Sequence, residues 1–215
     1  MLLPAARLAE ALGNLGIGDD DLVVAYDGSG ANLSAARVWW MLRHAGHPGA
    51  AVLDGGLGKW SAERRPLIRG EERRPPAAFA LRPRRDWVLD RQAVRASLTS
   101  GKIQLVDARI RERYQGSQPE PRPGVRSGHI PGARNVPYPD LVAPDGTLLP
   151  PGELAARFAE AGVDPIRPVT AYCGSGVSAC AVLLALEAIG RPGQLLYDGS
   201  WTEWGGDPDL PIEGG

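Results

Sequence analysis

The sequence predicts an α/β protein of two related units, each a small parallel sheet flanked by helices, with the N-terminal unit incomplete. Three observations lead there. Short β-prone runs alternate with amphipathic helical runs, the pattern of parallel strands joined by helical crossovers. A repeat runs through the chain: Leu3-Pro4 answers Leu149-Pro150, Gly16 answers Gly162, and Asp27-Gly28-Ser29-Gly30 answers Cys173-Gly174-Ser175-Gly176, all at an offset of 146. After a two-residue difference in loop length, Asp54-Gly55 answers Asp198-Gly199 and Trp60 answers Trp204. Finally, about 60 residues of the second copy, before Leu149-Pro150, have no counterpart before Leu3-Pro4. The expected organisation is a partial unit over 1–65, a linker over 66–85 and a complete unit over 86–215.

In the first copy, Ala5 to Leu15 reads as an amphipathic helix with Leu8, Leu12 and Leu15 on one side and Gly16 ending it. Asp19-Asp20-Asp21 reads as a turn rather than a metal site. Leu22 to Tyr26 is a strand, and Asn32 or Ser34 caps a helix running through Ala45. A Gly-x-Gly after a strand invites a dinucleotide-binding reading, but Leu33 stands where the third glycine is needed. Trp39, Trp40 and Met41 belong to core or interface, and His44 and His47 are expected at the surface. Ala51 to Leu53 is a short strand, followed by a Gly55-Gly56 turn and a short helix carrying Trp60.

The stretch from Pro66 to Arg85 is rich in Pro and Arg and has little periodicity, so it reads as an extended linker on the surface. Its basic cluster beside Glu71-Glu72 is expected to be solvated rather than bound to nucleic acid. In the second copy Asp90 caps a helix to about Leu98, and Ile103 to Val106 is a strand ending in Asp107-Ala108-Arg109. Asp107 and Arg109 are read as a structural pair. Glu153 to Ala161 is a helix, Val169 to Tyr172 a buried strand, and Ala179 to Ile189 an apolar helix closed by Gly190. Leu195 to Tyr197 is the last strand. The tail after Gly205 is ordered only if it packs elsewhere.

The chemistry is expected between the Val169–Tyr172 strand and the following helix. There Cys173 is followed by Gly174, Ser175, Gly176, Val177 and Ser178. Glycines let the backbone curl without Cβ clashes, and a loop curled at a helix N-terminus can turn N–H groups toward one anion. Cys173 is then either a small buried hydrophobe at a strand end or a reactive thiolate, and the Gly-Ser-Gly loop favours the thiolate. In open parallel sheets, sites lie at the C-terminal ends of the strands, where Cys173 falls. The equivalent position of the first copy is Asp27, a carboxylate that cannot carry a sulfur atom, so the first copy is expected to be catalytically silent.

Composition excludes several classes. The chain has 215 residues, a net charge of −1 and 43% hydrophobic content, so nothing in the charge favours nucleic acid or membrane. No apolar run is long enough to span a bilayer. Two cysteines with no CxxC or zinc-ligand spacing argue against a disulfide scaffold or a metal site, and no cofactor is implied. A cytoplasmic protein in a reducing compartment is expected. A Cys-based phosphatase would need Arg at position 179, where Ala stands.

Cys173-Gly-Ser-Gly-Val-Ser resembles the active loop of the rhodanese superfamily, in particular its 3-mercaptopyruvate sulfurtransferase branch, with Ser178 in place of Thr. Gly128-His129-Ile130-Pro131-Gly132-Ala133 and the Asp198–Trp204 segment resemble two further signatures of that family, whose tandem members pair a silent domain with an active one. The resemblance implies sulfur transfer through a Cys173 persulfide, from a small anionic donor to a thiol or cyanide. It implies Ser175 as a carbonyl-polarising or proton-relaying group, and Arg113 and Arg122 as the substrate-binding arginines. It also implies that thiosulfate-type enzymes keep the first arginine and lack the second. His129 is read as a structural hydrogen bonder. Thiosulfate:cyanide transfer is the alternative enzyme reading, and a non-catalytic binding module the third. Half a sheet in the first copy would expose apolar surface and an unpaired edge, so oligomerisation or poor stability is expected. A truncated chain, a late start site or a partner chain that fills the sheet would each account for the gap. The family's N-terminal histidine falls in that gap, which bears on full activity.

Overall fold

Among the described residues, five strands form where the sequence pattern puts them, two short ones (Val88–Leu89 and Arg134–Asn135) join as edges, and together they make two parallel sheets. The computed structural model describes residues 2–70, 73–164 and 166–214. In the first half, α1 (Ala5–Asn14), β1 (Val23–Ala25), α2 (Leu33–His44), β2 (Ala50–Val52) and α3 (Gly56–Ala62) follow in order, with Val24 opposite Ala51 in a β1–β2 sheet. The second half runs β3 (Val88–Leu89), α4 (Arg91–Ser100), β4 (Gln104–Asp107), α5 (Arg111–Gln115), β5 (Arg134–Asn135), α6 (Pro151–Glu160), β6 (Val169–Tyr172), α7 (Ala179–Ala188), β7 (Leu195–Tyr197) and α8 (Ser200–Gly205). Its sheet has the order β3-β7-β6-β4-β5, parallel throughout.

The repeat is visible in this topology. β1 and β2 correspond to β6 and β7, and both pairs are parallel neighbours. β6 has β4 on its other side, whereas β1 pairs with β2 alone among the described residues. The first half-sheet therefore leaves Val24 47% and Tyr26 60% exposed.

β6 alternates between two cores. Val169, Ala171 and Cys173 face one cluster, which also holds Val182 and Leu186 of α7 and Ala36, Trp39 and Trp40 of α2. Tyr172 faces the other, with Val94, Ile130, Tyr197, Trp201 and Trp204. The first cluster thus joins the two halves of the chain. Asp90 caps α4 as its sequence suggests, accepting the Ala93 N–H at 2.8 Å.

The linker lies against the first half. Ala77 donates to the Gly13 carbonyl at 3.0 Å and Arg82 to the Ala45 carbonyl at 2.9 Å. Gly46, with φ +92°, is needed there, because a Cβ would stand 2.5 Å from the Arg82 carbonyl oxygen. Arg74 and Arg82 pair with Asp21 and Asp19, so the acidic run is a turn that anchors the linker. Glu71-Glu72 lies outside the described residues.

Two expectations are corrected. Leu15 is 66% exposed: α1 ends at Asn14, and Leu15 lies outside the cluster that Leu8 and Leu12 form with Leu42 and Ala45. His47 is buried, not at the surface. Its Nε2 lies 3.0 Å from the Gly18 carbonyl, its Nδ1 accepts the Gly49 N–H at 3.1 Å, and its ring stacks on Phe79. The linker covers it, a contact with no local signature. The tail is ordered because it packs: Glu213 and His129 exchange backbone hydrogen bonds at 2.7 and 2.9 Å.

Asp107 and Arg109 form the structural pair expected of them. Arg109 Nη2 lies 2.6 Å from Asp107 Oδ2, its Nη1 2.8 Å from Glu120 Oε1, and its plane 4.7 Å from the Trp201 ring centre. All three charged groups are buried. Removing the central cation leaves two carboxylates short of a partner in the interior. Arg109→Ala is therefore expected to cost about 3 kcal/mol or more, read as a lowered urea midpoint at constant slope.

Candidate active site

β6 delivers Cys173 to the C-terminal edge of the sheet, beneath the N-terminus of α7. The loop is fixed from the α8 side. Trp201 N–H donates to the Cys173 carbonyl at 2.9 Å, and the Cys173 N–H donates to Ser200 Oγ at 3.2 Å. The Gly174 carbonyl accepts the Thr202 N–H at 3.0 Å and the Thr202 hydroxyl at 2.5 Å. Gly176, with φ +80°, turns the chain back so that its N–H reaches Cys173 Sγ at 3.1 Å. That N–H, at the entrance to α7, is a donor suited to sulfur carrying negative charge.

A cavity of about 240 Å³ opens over the sulfur. Cys173, Gly174, Ser175, Val177 and Ser178 form its floor, and Arg113, Arg122, Tyr138 and Thr202 its walls. The structure thus brings the predicted cysteine, loop hydroxyls and both arginines to one space. Gly176 does not line it and acts through its N–H. Gly174 lies close under Arg113: a Cβ there would stand 2.9 Å from Arg113 Nη2, so a side chain would displace the guanidinium tip.

The arginines are held differently. Arg113 grips Glu120 with Nε at 3.0 Å and Nη2 at 2.6 Å, which leaves the Nη1 donors for a ligand. Arg122 donates from Nη1 to Thr202 Oγ1 at 3.0 Å and is otherwise exposed. Glu120 is missed by sequence reasoning. It is buried and orients Arg113 while pairing with Arg109. Its only signal is a carboxylate locked between Pro119 and Pro121 beside a candidate arginine.

The first half also reaches the site. Leu33 of α2 lines the cavity, and Arg37 donates to the Gly176 carbonyl at 3.0 Å. In the first half's own loop Asp27 is its own anion. Its carboxylate accepts the Ser29 N–H, the Ser29 hydroxyl and the Ala35 N–H at 2.8, 2.6 and 2.9 Å. Burial opposes its charge, but those donors prevail and hold its carboxyl below the usual range. His129 is a structural hydrogen bonder, with Nδ1 2.8 Å from the Tyr114 carbonyl and its ring stacked on Tyr114. Among the described residues, no group of three or more His, Cys, Asp and Glu side chains is placed to hold a metal ion. No described helix is long and apolar enough to cross a membrane.

The chain is similar to known proteins over most of its length. The family model described as Rhodanese-like domain matches residues 2–63 and 90–207. The chain is 42% identical over 205 residues to a human protein named 3-mercaptopyruvate sulfurtransferase, covering 95% of this chain and 69% of that protein. It is 42% identical over 207 residues to a thiosulfate sulfurtransferase of Rattus norvegicus, covering 95% and 70%. Among solved structures, SseA from Escherichia coli, described with the catalytic mechanism of 3-mercaptopyruvate sulfotransferases, aligns with a TM-score of 0.83 and 37% identity over 94% of this chain and 74% of that one.

The two cysteines differ in access. Both are unpaired, but only Cys173 lines the cavity. Cys180 is enclosed in α7, and burial pushes its thiol up to about 12. Iodoacetamide is therefore expected to label Cys173 and leave Cys180 unmodified in the folded protein, as read by peptide mass mapping. Equal labelling of both would contradict the geometry.

Proposed function

The chain belongs to the rhodanese-like domain family, and from that premise we propose that it is a sulfurtransferase that carries sulfur from 3-mercaptopyruvate through a Cys173 persulfide to a thiol or cyanide acceptor. The observation that carries this reading is one cavity holding the Cys173 loop, Arg113 and Arg122 together. An α-keto acid offers a carboxylate beside a carbonyl, and two guanidinium groups suit that pair.

The Cys173 thiolate attacks the donor sulfur, forming an S–S bond as the donor's C–S bond breaks. The bonding pair passes to the donor carbon as an enolate, which takes a proton to give the keto acid. An acceptor thiolate or cyanide then attacks the outer sulfur, and Cys173 leaves as thiolate. The Gly176 N–H is placed to stabilise sulfur anion at both ends of the cycle. Ser175, on the cavity floor, polarises the donor carbonyl or relays the proton.

Thiosulfate as donor is the second reading, favoured by equal identity to a relative of that name. Arg122, the arginine whose counterpart thiosulfate-type enzymes lack, speaks for mercaptopyruvate. The same proposal includes a silent unit over 1–65, a linker over 66–85 and a catalytic unit over 86–215. The two-stranded first sheet and the five-stranded second one support that division. It also includes a reducing, cytoplasmic setting, supported by two unpaired cysteines. Self-association over the open β1 edge belongs to it as well, supported by the exposed Val24 and Tyr26. A monomer at every concentration in sedimentation velocity would remove that last part.

The test compares both donors with cyanide as acceptor. Turnover with 3-mercaptopyruvate is expected to vanish in Cys173→Ala. Arg122→Ala is expected to raise KM for that donor about tenfold, the loss of one charge-assisted hydrogen bond. It should leave thiosulfate turnover nearly unchanged. Better turnover with thiosulfate in the wild type would move the donor to the second reading. A folded protein that transfers sulfur from neither donor would instead be a binding module.

A further inference from the structure

Arg37 stands in α2, in the half of the chain that carries no thiol, and its guanidinium crosses to the active loop of the other half. Nη1 donates to the Gly176 carbonyl at 3.0 Å and lies 3.9 Å from Cys180 Sγ, while Nη2 donates to Asp198 Oδ1 at 2.7 Å. Both side chains of the Arg37–Asp198 pair are only 11% exposed. Asp198 accepts the Leu2 N–H through its other oxygen at 2.7 Å, and the Trp40 ring centre lies 5.6 Å from the guanidinium. The cation is thus clamped by groups from both halves.

Gly176 is the residue so held. A Cβ there would meet Asp198 Oδ1 at 2.9 Å, the Asp198 carbonyl at 3.0 Å and Arg37 Nη1 at 3.2 Å. A glycine with φ +80° samples both signs of φ when nothing restrains it. Its N–H contacts the Cys173 sulfur and its carbonyl contacts Arg37, so this one residue couples the thiol to α2.

We propose that Arg37 is a positioning residue for sulfur transfer: by gripping the Gly176 carbonyl against Asp198, it aims the Gly176 N–H at the Cys173 sulfur and makes the thiol-free half part of the active site. This rests on reading Cys173 as the nucleophile. A donor fixed in advance stabilises developing charge without reorganising as the reaction proceeds, which a freely turning peptide cannot do. Arg37 does not line the cavity, so its effect falls on the sulfur rather than on donor binding.

The experiment uses the full chain with Arg37→Ala, Arg37→Lys and Arg37→Gln. It reads the pH profile of Cys173 alkylation by iodoacetamide and, separately, kcat and KM with 3-mercaptopyruvate. The other charged or titratable groups facing the loop are Arg113, Glu120, Arg122, Tyr138, Cys180 and Asp198, all kept in every variant. In Arg37→Ala the alkylation midpoint is expected to rise by about one pH unit, since the sulfur anion loses its aimed donor. The kcat is expected to fall about ten- to a hundredfold with KM within about twofold. Arg37→Lys, which keeps a cation, should recover part of both. A wild-type midpoint and kcat in Arg37→Ala would overturn the proposal, as would a change confined to KM. Where the alanine variant does not fold, Arg37→Gln decides, and wild-type values in it overturn the proposal. Alkylation needs no sulfur donor. Absence of transfer in the wild type therefore counts against the sulfurtransferase reading alone, while the alkylation midpoint still decides the role of Arg37.

Discussion

α7 is apolar around almost its whole circumference, Glu187 being its one charged residue, and a helix of that kind must be covered on most sides. Ala179, Cys180, Ala181, Val182, Leu183, Ala185 and Leu186 are all buried. Its own sheet covers one flank through Val169, Ala171 and Leu196. The other flank is covered by α2, through Ala36, Trp39 and Trp40 of the first half. Each large side chain removed from water there contributes on the order of 2–3 kcal/mol, so the contact is a strong one. Because α7 begins at the active loop, what covers the helix also decides where the loop sits. The half that lacks the thiol is in this sense the outer wall of the site.

A second constraint lies on the opposite side of the loop. Asp107 ends β4 inside the protein, and a buried carboxylate must find a cation. Arg109 meets it, and donates further to the Gly128 carbonyl and, through Nη1, to Glu120, which in turn grips Arg113. The chain of charges runs from the sheet interior to the cavity wall. Arg113 is therefore held at the cavity as the outermost member of a network anchored at β4. A long side chain fixed this way loses less freedom when it meets a ligand than one free in solvent.

What was legible in the sequence follows from how local each cause is. β6 was readable residue for residue, because a four-residue β-prone run lies between Pro168 and a Cys-Gly turn. The start of α4 was readable from Asp90, a cap that acts within three residues. Cys173 and its loop were readable because the repeat set them beside Asp27 and the motif is short. β3 and β5, two residues each, carry too little pattern to be seen and exist because β7 and β4 offer edges to them. Leu15 and His47 were misplaced for the same reason in reverse. Burial there is decided by where the helix turn and the linker lie. Glu120 and Arg37 went unseen because their partners are separated from them by 7 or 11 residues in one case and 139 in the other.

The two loops of the repeat show how one geometry yields two outcomes. Each follows a parallel strand, curls through Gly-Ser-Gly and enters a helix, and each turns at least one N–H toward the side chain of the first residue. In the first loop that residue is Asp27, whose carboxylate already satisfies the donors of Ser29 and Ala35. Those donors are then not open to an external anion. In the second loop Cys173 places sulfur at the corresponding point, with one N–H on it and an open cavity above. Sulfur can take on charge, attack and leave, which a carboxylate held by three donors cannot. With its loop closed by its own carboxylate, the first copy still keeps a structural task, and α2 performs it by covering α7 and holding the turn at Gly176.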